Sequence, residues 1–188
     1  MNKIAQFEKV SYEQFRKDWI DCFPQYNESK IKEIYNAIKL PKRATSGSAG
    51  YDFFSPISTT IWSSGAQELI KGGGGQCITE SGITLIPTGI RCQIEEGWVL
   101  QIFPRSGLGF KYGLQLANTV GIIDSDYYNS DNEGHIFVKF INDSAFHKNV
   151  PLAAGQAFCQ GVFTPFGITY TDDTQAVRNG GFGSTDKK

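Results

Sequence analysis

The sequence has few of the cysteine and histidine residues that soft-metal binding or nucleophilic catalysis requires. Its 188 residues include four cysteines and two histidines, with no C-x-x-C pair. A structural zinc site needs four clustered ligands. Neither His135 nor His147 stands beside a Cys or a G-x-S-x-G turn, so we expect no nucleophilic triad. The four cysteines are expected to be small buried apolar residues: Cys22, Cys77, Cys92 and Cys159.

Long apolar runs are also missing. No stretch approaches the roughly 18 apolar residues that span a bilayer. The N-terminus, MNKIAQFEKVSYEQF, has no apolar segment of the kind found in signal peptides. We therefore expect a cytoplasmic protein that makes no contact with a membrane.

Basic residues are scarce in most of the chain. The net charge is −1, with +3 in residues 1–43 and −4 in residues 44–188. A nucleic-acid-binding domain normally has a basic face, so no nucleic-acid partner is expected. An Arg inside a Gly-rich segment of the acidic part therefore becomes a candidate for binding a particular anion.

The first 40 residues are predicted to be helical. Apolar residues recur at three- and four-residue steps in SYEQFRKDWIDCF and again in NESKIKEIYNAIKL. Ser11 and Gln14 fit a capping box, and Asn27 or Ser29 fits the second N-cap. The apolar stripes are expected to pack on the rest of the protein. The acidic side chains are expected on a solvated face: Glu13, Asp18, Asp21, Glu28 and Glu33.

After Pro41 the sequence changes to short extended runs that Gly and Pro interrupt. Many short strands without intervening helices predict a mainly β fold, a β-sandwich or jelly roll. The run KGGGGQC at 71–77 predicts a flexible loop tip or an edge hairpin, and the last residues predict a mobile C-terminal arm. One domain with appendages follows from the length: a helical extension at 1–40, a β domain at 41–175 and an arm at 176–188. The candidate strands are ITLIPTGIRCQI, GWVLQIFPR, LQLANTVGIID, HIFVKFIN and AFCQGVFTPF.

The first segment whose residues could bind a ligand is Pro104-Arg105-Ser106-Gly107, followed by LGFKYG. It predicts a strand that ends in a short helix, with Ser106 near the N-cap and Gly113 at the end. Free backbone N–H groups, the Ser106 hydroxyl and Arg105 could together bind a phosphate. The alternative is a surface turn with an incidental Arg.

The second segment runs from Asn118 to Tyr127. Two strand-like stretches meet around Gly121, which allows a tight hairpin whose backbone is open to a ligand. Asp124 follows an apolar pair, so partial burial could hold it beside a reacting water. Tyr127 offers a flat face for a sugar or a base. The alternative is that Asp124 and the nearby Asp126 are ordinary turn formers.

The third segment is the C-terminal run Arg178-Asn-Gly-Gly-Phe182-Gly-Ser-Thr185. Its glycines let the backbone wrap closely around a ligand, Arg178 could pair with phosphate, and Phe182 could stack on a base. The alternative, a disordered linker, leaves Phe182 unexplained.

Together with GSAGYD at 47–52 and GQAFCQGV at 155–162, these segments resemble, in order, the five motifs of the trimeric dUTPase family. The resemblance extends from about Pro41 to Thr185. It implies a distorted β jelly roll and a homotrimer with active sites at the subunit interfaces, each closed by a neighbour's C-terminal arm. The implied reaction is hydrolysis of dUTP to dUMP and pyrophosphate with Mg²⁺, which keeps uracil out of DNA and supplies dUMP for thymidylate synthesis.

The resemblance also implies roles for individual residues. Asp124 would deprotonate the attacking water, and Tyr127 would pack on the deoxyribose where a 2′-hydroxyl would clash. Uracil would pair with Asn118 and with the hairpin backbone at Gly121 and Ile123. Asp52 would lie near the water ligands of the metal. The phosphate contacts would be Arg105, Ser106, Gly107 and Gln160. The lid would consist of Arg178, Phe182, Gly183, Ser184 and Thr185.

Some features depart from the family pattern. The fifth motif has one residue, Asn179, between Arg178 and the Gly-Gly pair, where the family commonly has another, and it continues with Asp186 where Gly is usual. Segments 57–81 and 128–134 and the N-terminal extension are additional, and we expect them to be structural. An alternative hypothesis is that they bind a regulatory protein partner.

Two other enzyme classes are alternatives to the dUTPase prediction. A dCTP deaminase shares the fold and the trimer, but it needs a Glu shortly after the hairpin. Only Glu133 lies near that place in the sequence, and it stands within the additional 128–134 segment. The all-α dUTPases bind two metals through E-x-x-E clusters on helices, which this sequence lacks.

Overall fold

The computed structural model describes residues 2–64, 78–79, 83–143, 148–178 and 180. Besides three α-helices it contains one 3₁₀ helix, Ser125–Asn129. The α-helices are α1 (Tyr12–Cys22), α2 (Glu28–Ala37) and α3 (Ser106–Tyr112). The strands are β1 (Ala5–Lys9), β2 (Lys42–Arg43), β3 (Tyr51–Phe54), β4 (Thr59–Ile61), β5 (Ile78–Thr79), β6 (Ile83–Pro87), β7 (Ile90–Ile94), β8 (Trp98–Pro104), β9 (Gln115–Leu116), β10 (Gly121–Ile123), β11 (Phe137–Ile141), β12 (Val150–Leu152) and β13 (Ala157–Pro165).

The strands form two main antiparallel sheets. One has the order β10-β8-β13-β3-β2 and the other the order β5-β6-β11-β9, while β1 pairs with β7 and β12 with β4. In β11, Val138 and Phe140 are buried and Lys139 is exposed, which is the alternation expected of a half-buried strand. Leu100 and Phe158, from the first sheet, are buried in the same core as Phe140. The predicted jelly-roll sandwich is confirmed.

Helices α1 and α2 begin where the sequence predicts. The Ser11 hydroxyl oxygen accepts a hydrogen bond from the backbone N–H of Gln14 (3.1 Å). Asn27, and not Ser29, caps α2: its Oδ1 accepts from the backbone N–H of Lys30 (2.9 Å). The apolar stripes are buried in a second cluster beside the sandwich. Its helical members are Phe15, Trp19, Cys22, Ile31 and Ile34.

Residues 5–9 are not helical as predicted but form strand β1. They pair antiparallel with β7, from Ala5 opposite Ile94 to Lys9 opposite Ile90. The ring of Phe7 packs 5.4 Å from that of Tyr51. The partner strand lies more than 80 residues away in sequence, so the short run AQFEK carries no local sign of this pairing.

The segment 128–134 is held against the N-terminal residues. Both carboxylate oxygens of Glu133 bind Ser11: Oε2 accepts from the backbone N–H and Oε1 from the hydroxyl, each at 2.7 Å. Glu133 thus takes the place that Gln14 would have in a complete capping box. The Tyr128 hydroxyl donates to Glu8 Oε2 at 2.7 Å. Asp18, predicted on a solvated face, instead contacts the buried His135.

Glu133 makes the stability of the fold depend on pH in the acidic range. Burial alone would raise its pKa, but the hydrogen bonds from Ser11 outweigh it, so the pKa lies below the ordinary 4.5. Ionised Glu133 therefore stabilises the fold above that pH, and the contribution is lost as pH falls through the lowered value. We expect the free energy of unfolding to fall less steeply below pH 4.5 in Glu133→Gln than in wild type.

Urea unfolding at a series of pH values would measure this effect. Glu96→Gln, at an exposed glutamate, is the matched control and should keep the wild-type slope. Parallel pH profiles for wild type and Glu133→Gln would contradict the assignment.

Three of the predicted buried cysteines lie in the described part of the chain, and all three are buried: Cys22, Cys92 and Cys159. Burial raises the pKa of Cys92 to about 12 and that of Cys159 well above its ordinary value. Both therefore stay protonated and unreactive near neutral pH. Cys77, His147 and the predicted loop tip at 71–77 lie outside the described residues. None of the described helices has the length and apolar character to cross a membrane.

Candidate functional site

Helix α3 follows directly on β8, as predicted. Its N-cap is Arg105, so Ser106 is the first helical residue. Leu108 is buried and anchors the helix to the core. Gly113 ends the helix with φ 67°, a left-handed conformation that glycine adopts without strain, and its N–H donates to the Gly109 carbonyl (2.8 Å). Arg105, Ser106 and Gly107 are exposed at the start of this turn.

Strands β3, β8 and β13 are neighbours and bring Asp52, Arg105 and Gln160 together. Asp52 stands opposite Gln160 in the sheet, and Arg105 Nε lies 3.2 Å from Asp52 Oδ1. Gln160 Nε2 donates to the Pro104 carbonyl at 3.3 Å. A Cβ on residue 50 would lie 2.5 Å from Gln160 Oε1, so any residue other than glycine would require the Gln160 side chain to shift. We call Asp52, Arg105 and Gln160, together with Ser106 and Gly107, the phosphate cluster.

The stretch around Gly121 is not the simple hairpin that the sequence predicts. Strand β9 pairs with β11 and β10 pairs with β8, so the two strands belong to different sheets. A tight turn joins them, closed by the hydrogen bond from Thr119 N–H to the Leu116 carbonyl (3.0 Å). The predicted uracil contacts Asn118, Gly121 and Ile123 line one cleft of about 500 Å³. This volume lies within the range of small-molecule sites.

The 3₁₀ helix carries Asp124 and Tyr127. Asp124 is its N-cap residue, and its carbonyl accepts from the Tyr127 backbone N–H (3.2 Å). The Asp124 side chain is 43% exposed, so water can reach the carboxylate. Tyr127 is only 6% exposed, and burial raises its pKa. Tyr127 is therefore packed into the body of the protein, and Arg178 lies over its ring.

Arg178 contacts this helix. Its Nη2 binds Asp124 Oδ2, its Nε lies 2.9 Å from Asp126 Oδ1, and its guanidinium carbon lies 5.8 Å from the centre of the Tyr127 ring. The residue predicted to contact phosphate thus forms ion pairs with two carboxylates in the structure. The other predicted lid residues lie outside the described part of the chain: Phe182, Gly183, Ser184 and Thr185. We call Asp124, Tyr127 and the uracil-contact residues the base cluster.

The two clusters lie at different positions along β8: Gly121 stands opposite Ile102, three residues before Arg105, and Asp124 lies farther from Arg105. Ile123 stands opposite Leu100, five residues before Arg105. At about 3.4 Å per residue that separation corresponds to roughly 17 Å of strand, and Asp124 extends one residue further away. Within one chain the predicted residues therefore form two separate clusters, which we call half-sites, with Asp124 farthest from Arg105.

Within the described ranges, no three His, Cys, Asp or Glu side chains are arranged to bind a metal ion. Mg²⁺ commonly keeps several water ligands and binds through one or two carboxylates and substrate phosphates. Asp52, a carboxylate within the phosphate cluster, fits such a site.

Comparisons with known proteins point to one family. The family model for dUTPase matches residues 76–186. The deoxyuridine 5′-triphosphate nucleotidohydrolase of Lactococcus lactis is 40% identical over 151 residues, which cover 79% of this chain and 88% of that protein. The crystal structure of dUTPase from Streptococcus mutans is 33% identical with a TM-score of 0.57, covering 87% of this chain and 97% of that one. The dUTPase from phage phi11 of S. aureus, at 16% identity and a TM-score of 0.58, shares the fold over 93% of this chain and 97% of that one.

The structure and these similarities together define a β-sandwich nucleotidohydrolase. The chain belongs to the dUTPase family, and the predicted family and enzyme class are confirmed.

His135, which the structure connects to the base cluster, was missed in the sequence analysis. His135 is completely buried, and its backbone carbonyl accepts a hydrogen bond from the Tyr127 hydroxyl (2.8 Å). Its position eight residues after Tyr127 was the only available signal.

Proposed function

We propose that this chain hydrolyses dUTP to dUMP and pyrophosphate as a homotrimer whose active sites lie between subunits. The separation of the two clusters along β8 carries this proposal. In a closed ring with head-to-tail contacts, each site takes the base cluster of one copy and the phosphate cluster of the next. Phe110 beside the phosphate cluster is 88% exposed, and Ile122 beside the base cluster is 54% exposed. Such exposed apolar side chains fit an interface between copies.

The phosphate cluster would hold the triphosphate. Attack of water on the α-phosphorus spreads negative charge over the phosphate oxygens, so prepositioned cations and N–H donors lower the barrier. Arg105 would supply the charge, with hydrogen bonds from Ser106, the Gly107 backbone and Gln160. Mg²⁺ bound to phosphate oxygens, and through water to Asp52, would add charge and align the pyrophosphate leaving group.

Asp124 would act as the general base. Its backbone is fixed at the start of the 3₁₀ helix while its carboxylate is open to water. A carboxylate in this position can take the proton from the attacking water as the new P–O bond forms. Arg178 would leave Asp124 for the phosphates when nucleotide binds, and the rest of the arm would close the site.

The cleft beside Asn118 would select the base. Backbone donors and acceptors at Gly121 and Ile123 that match uracil would leave buried polar groups unpaired with cytosine, a penalty that can reach about 10⁴-fold. The structure gives no support to a deaminase, because the Glu133 carboxylate binds Ser11. Tyr127 would pack on the deoxyribose and exclude a 2′-hydroxyl.

Pyrophosphate release in the presence of Mg²⁺ tests this proposal directly. We expect release from dUTP and, at equal concentrations, background rates from dTTP, dCTP and UTP. Ammonia release from dCTP would support a deaminase instead. No release from any nucleotide by a folded trimer would contradict the proposed activity.

In a cell, this reaction would keep uracil out of DNA and supply dUMP. A regulatory protein partner stays a prediction. It would have to use segment 57–81 or the outer faces of α1 and α2, because Tyr128 and Glu133 of segment 128–134 bind Glu8 and Ser11.

A further inference from the structure

Two hydrogen-bond partners hold His135 in one tautomer and one ring orientation. Its Nε2 lies 2.8 Å from the backbone N–H of Gly89, and its Nδ1 lies 2.5 Å from Asp18 Oδ2. A backbone amide can only donate, so Nε2 must be the unprotonated nitrogen and Nδ1 carries the proton toward Asp18. The ring also packs 4.5 Å from the ring of Phe137. Asp18, on α1, therefore fixes the position of a neutral, buried imidazole.

The backbone of His135 in turn fixes Tyr127. The Tyr127 hydroxyl donates to the His135 carbonyl (2.8 Å) and accepts from Asn132 Nδ2 (2.8 Å). Gly134 has φ 70°, and a Cβ there would lie 2.7 Å from the Tyr127 carbonyl oxygen. The 130–135 loop is thus packed directly on the 3₁₀ helix, and the far end of the Tyr127 side chain has little freedom to move.

A continuous chain of contacts therefore runs from α1 to the base cluster. Gln14 Nε2 donates to Asp18 Oδ2 at 2.9 Å, which orients the carboxylate toward His135. Glu133, two residues before His135, binds Ser11 at the start of the same helix. The N-terminal helices were expected to be structural additions, but these contacts join α1 to the residue that would meet the sugar.

We propose that Asp18 and His135 are positioning residues for Tyr127 and that α1 thereby sets the discrimination between deoxyribose and ribose. The inference rests on the proposed packing of Tyr127 against the sugar. Steric exclusion of a 2′-hydroxyl requires the ring to hold its place within a fraction of an ångström. Removing the Asp18 carboxylate leaves a buried Nδ1–H without its acceptor, which drives the imidazole and the attached carbonyl to rearrange.

Asp18→Ala tests the inference through substrate preference. We expect the ratio of kcat/KM for dUTP to that for UTP to fall about tenfold, equivalent to about 1.4 kcal/mol of discrimination. Asp18→Asn keeps an oxygen acceptor for Nδ1–H and should recover most of the ratio. Asp21→Ala, at an exposed carboxylate on the same helix, is the matched control and should behave as wild type.

A second variant covers the case in which Asp18→Ala does not fold. Asn132→Asp removes the donor to the Tyr127 hydroxyl but keeps the oxygen that accepts from Ser130 Oγ and the Gly134 N–H. It should lower the same ratio. In a double-mutant cycle, the effects of Tyr127→Phe and Asp18→Ala should be less than additive, because both act through the hydroxyl contact. Full additivity would overturn the inference.

Tyr127→Ala separates this inference from the proposed function. If it abolishes the discrimination while Asp18→Ala and Asn132→Asp retain it, Tyr127 contacts the sugar but α1 does not position it, and the inference is overturned. If Tyr127→Ala also retains the discrimination, the proposed sugar contact fails and the inference fails with it.

Discussion

Asp124→Asn should lower kcat for dUTP about 10²–10⁴-fold, the usual contribution of a general base. The amide has nearly the shape of the carboxylate but cannot take a proton from water. Asp124 caps the 3₁₀ helix through its backbone and makes no side-chain cap hydrogen bond, so the fold should be kept. Single-turnover hydrolysis and dUTP binding by calorimetry would separate a slow chemical step from weak binding.

Asp126→Asn is the matched control for this prediction. Asp126 also pairs with Arg178, through Oδ1 at 2.9 Å, and its side chain is exposed. Loss of the ion pair alone should therefore affect both variants, whereas loss of the base affects only Asp124→Asn. Near-normal turnover by Asp124→Asn, or an equal loss in both variants, would rule out Asp124 as the base.

Truncation after Val177 should lower kcat/KM for dUTP by roughly 10²-fold or more, because in the proposed mechanism the transition state would lose charge-assisted hydrogen bonds from Arg178 and the lid. The proposed trimer should stay intact, since the sandwich and its exposed apolar side chains are unchanged. Pyrophosphate release and light scattering on the same samples would measure both effects.

Truncation after Thr185 is the control, because it leaves the fifth motif complete and removes only the last three residues. It should keep most of the activity. The contact between Arg178 and Asp124 allows the opposite result: if Arg178 mainly blocks the base, truncation after Val177 would raise turnover. Monomers after truncation would instead show that the arm serves assembly.

Features that depend on neighbouring residues in the sequence could be predicted. The caps at Ser11 and Asn27, the apolar stripes of α1 and α2, and the left-handed end of α3 at Gly113 each depend on a few adjacent positions. The alternation in β11 is equally local. The candidate phosphate and base residues were proposed from motifs with family spacing, which do not depend on the sheet order, and their roles stay predictions.

Features that depend on distant partners could not be predicted. The run at 5–9 is a strand only because β7 lies beside it, and β9 and β10 separate because different sheets offer them partners. Asp18 looks like any solvated helical carboxylate until its neighbour 117 residues away is known. The division into two half-sites is likewise a matter of strand register.

The contacts between α1 and residues 133–135 also govern the order in which the protein can fold. They join positions 117 to 122 residues apart, so they close only after the large intervening loop has lost its conformational freedom. The N-terminal residues leave the ribosome first, yet isolated helices of 11 and 10 residues are marginal in water. The aromatic face of α1 therefore stays exposed to solvent until about three quarters of the chain has been made. We expect this first-made segment to be among the last to settle, and a chaperone that shields Phe15 and Trp19 would help the nascent chain most.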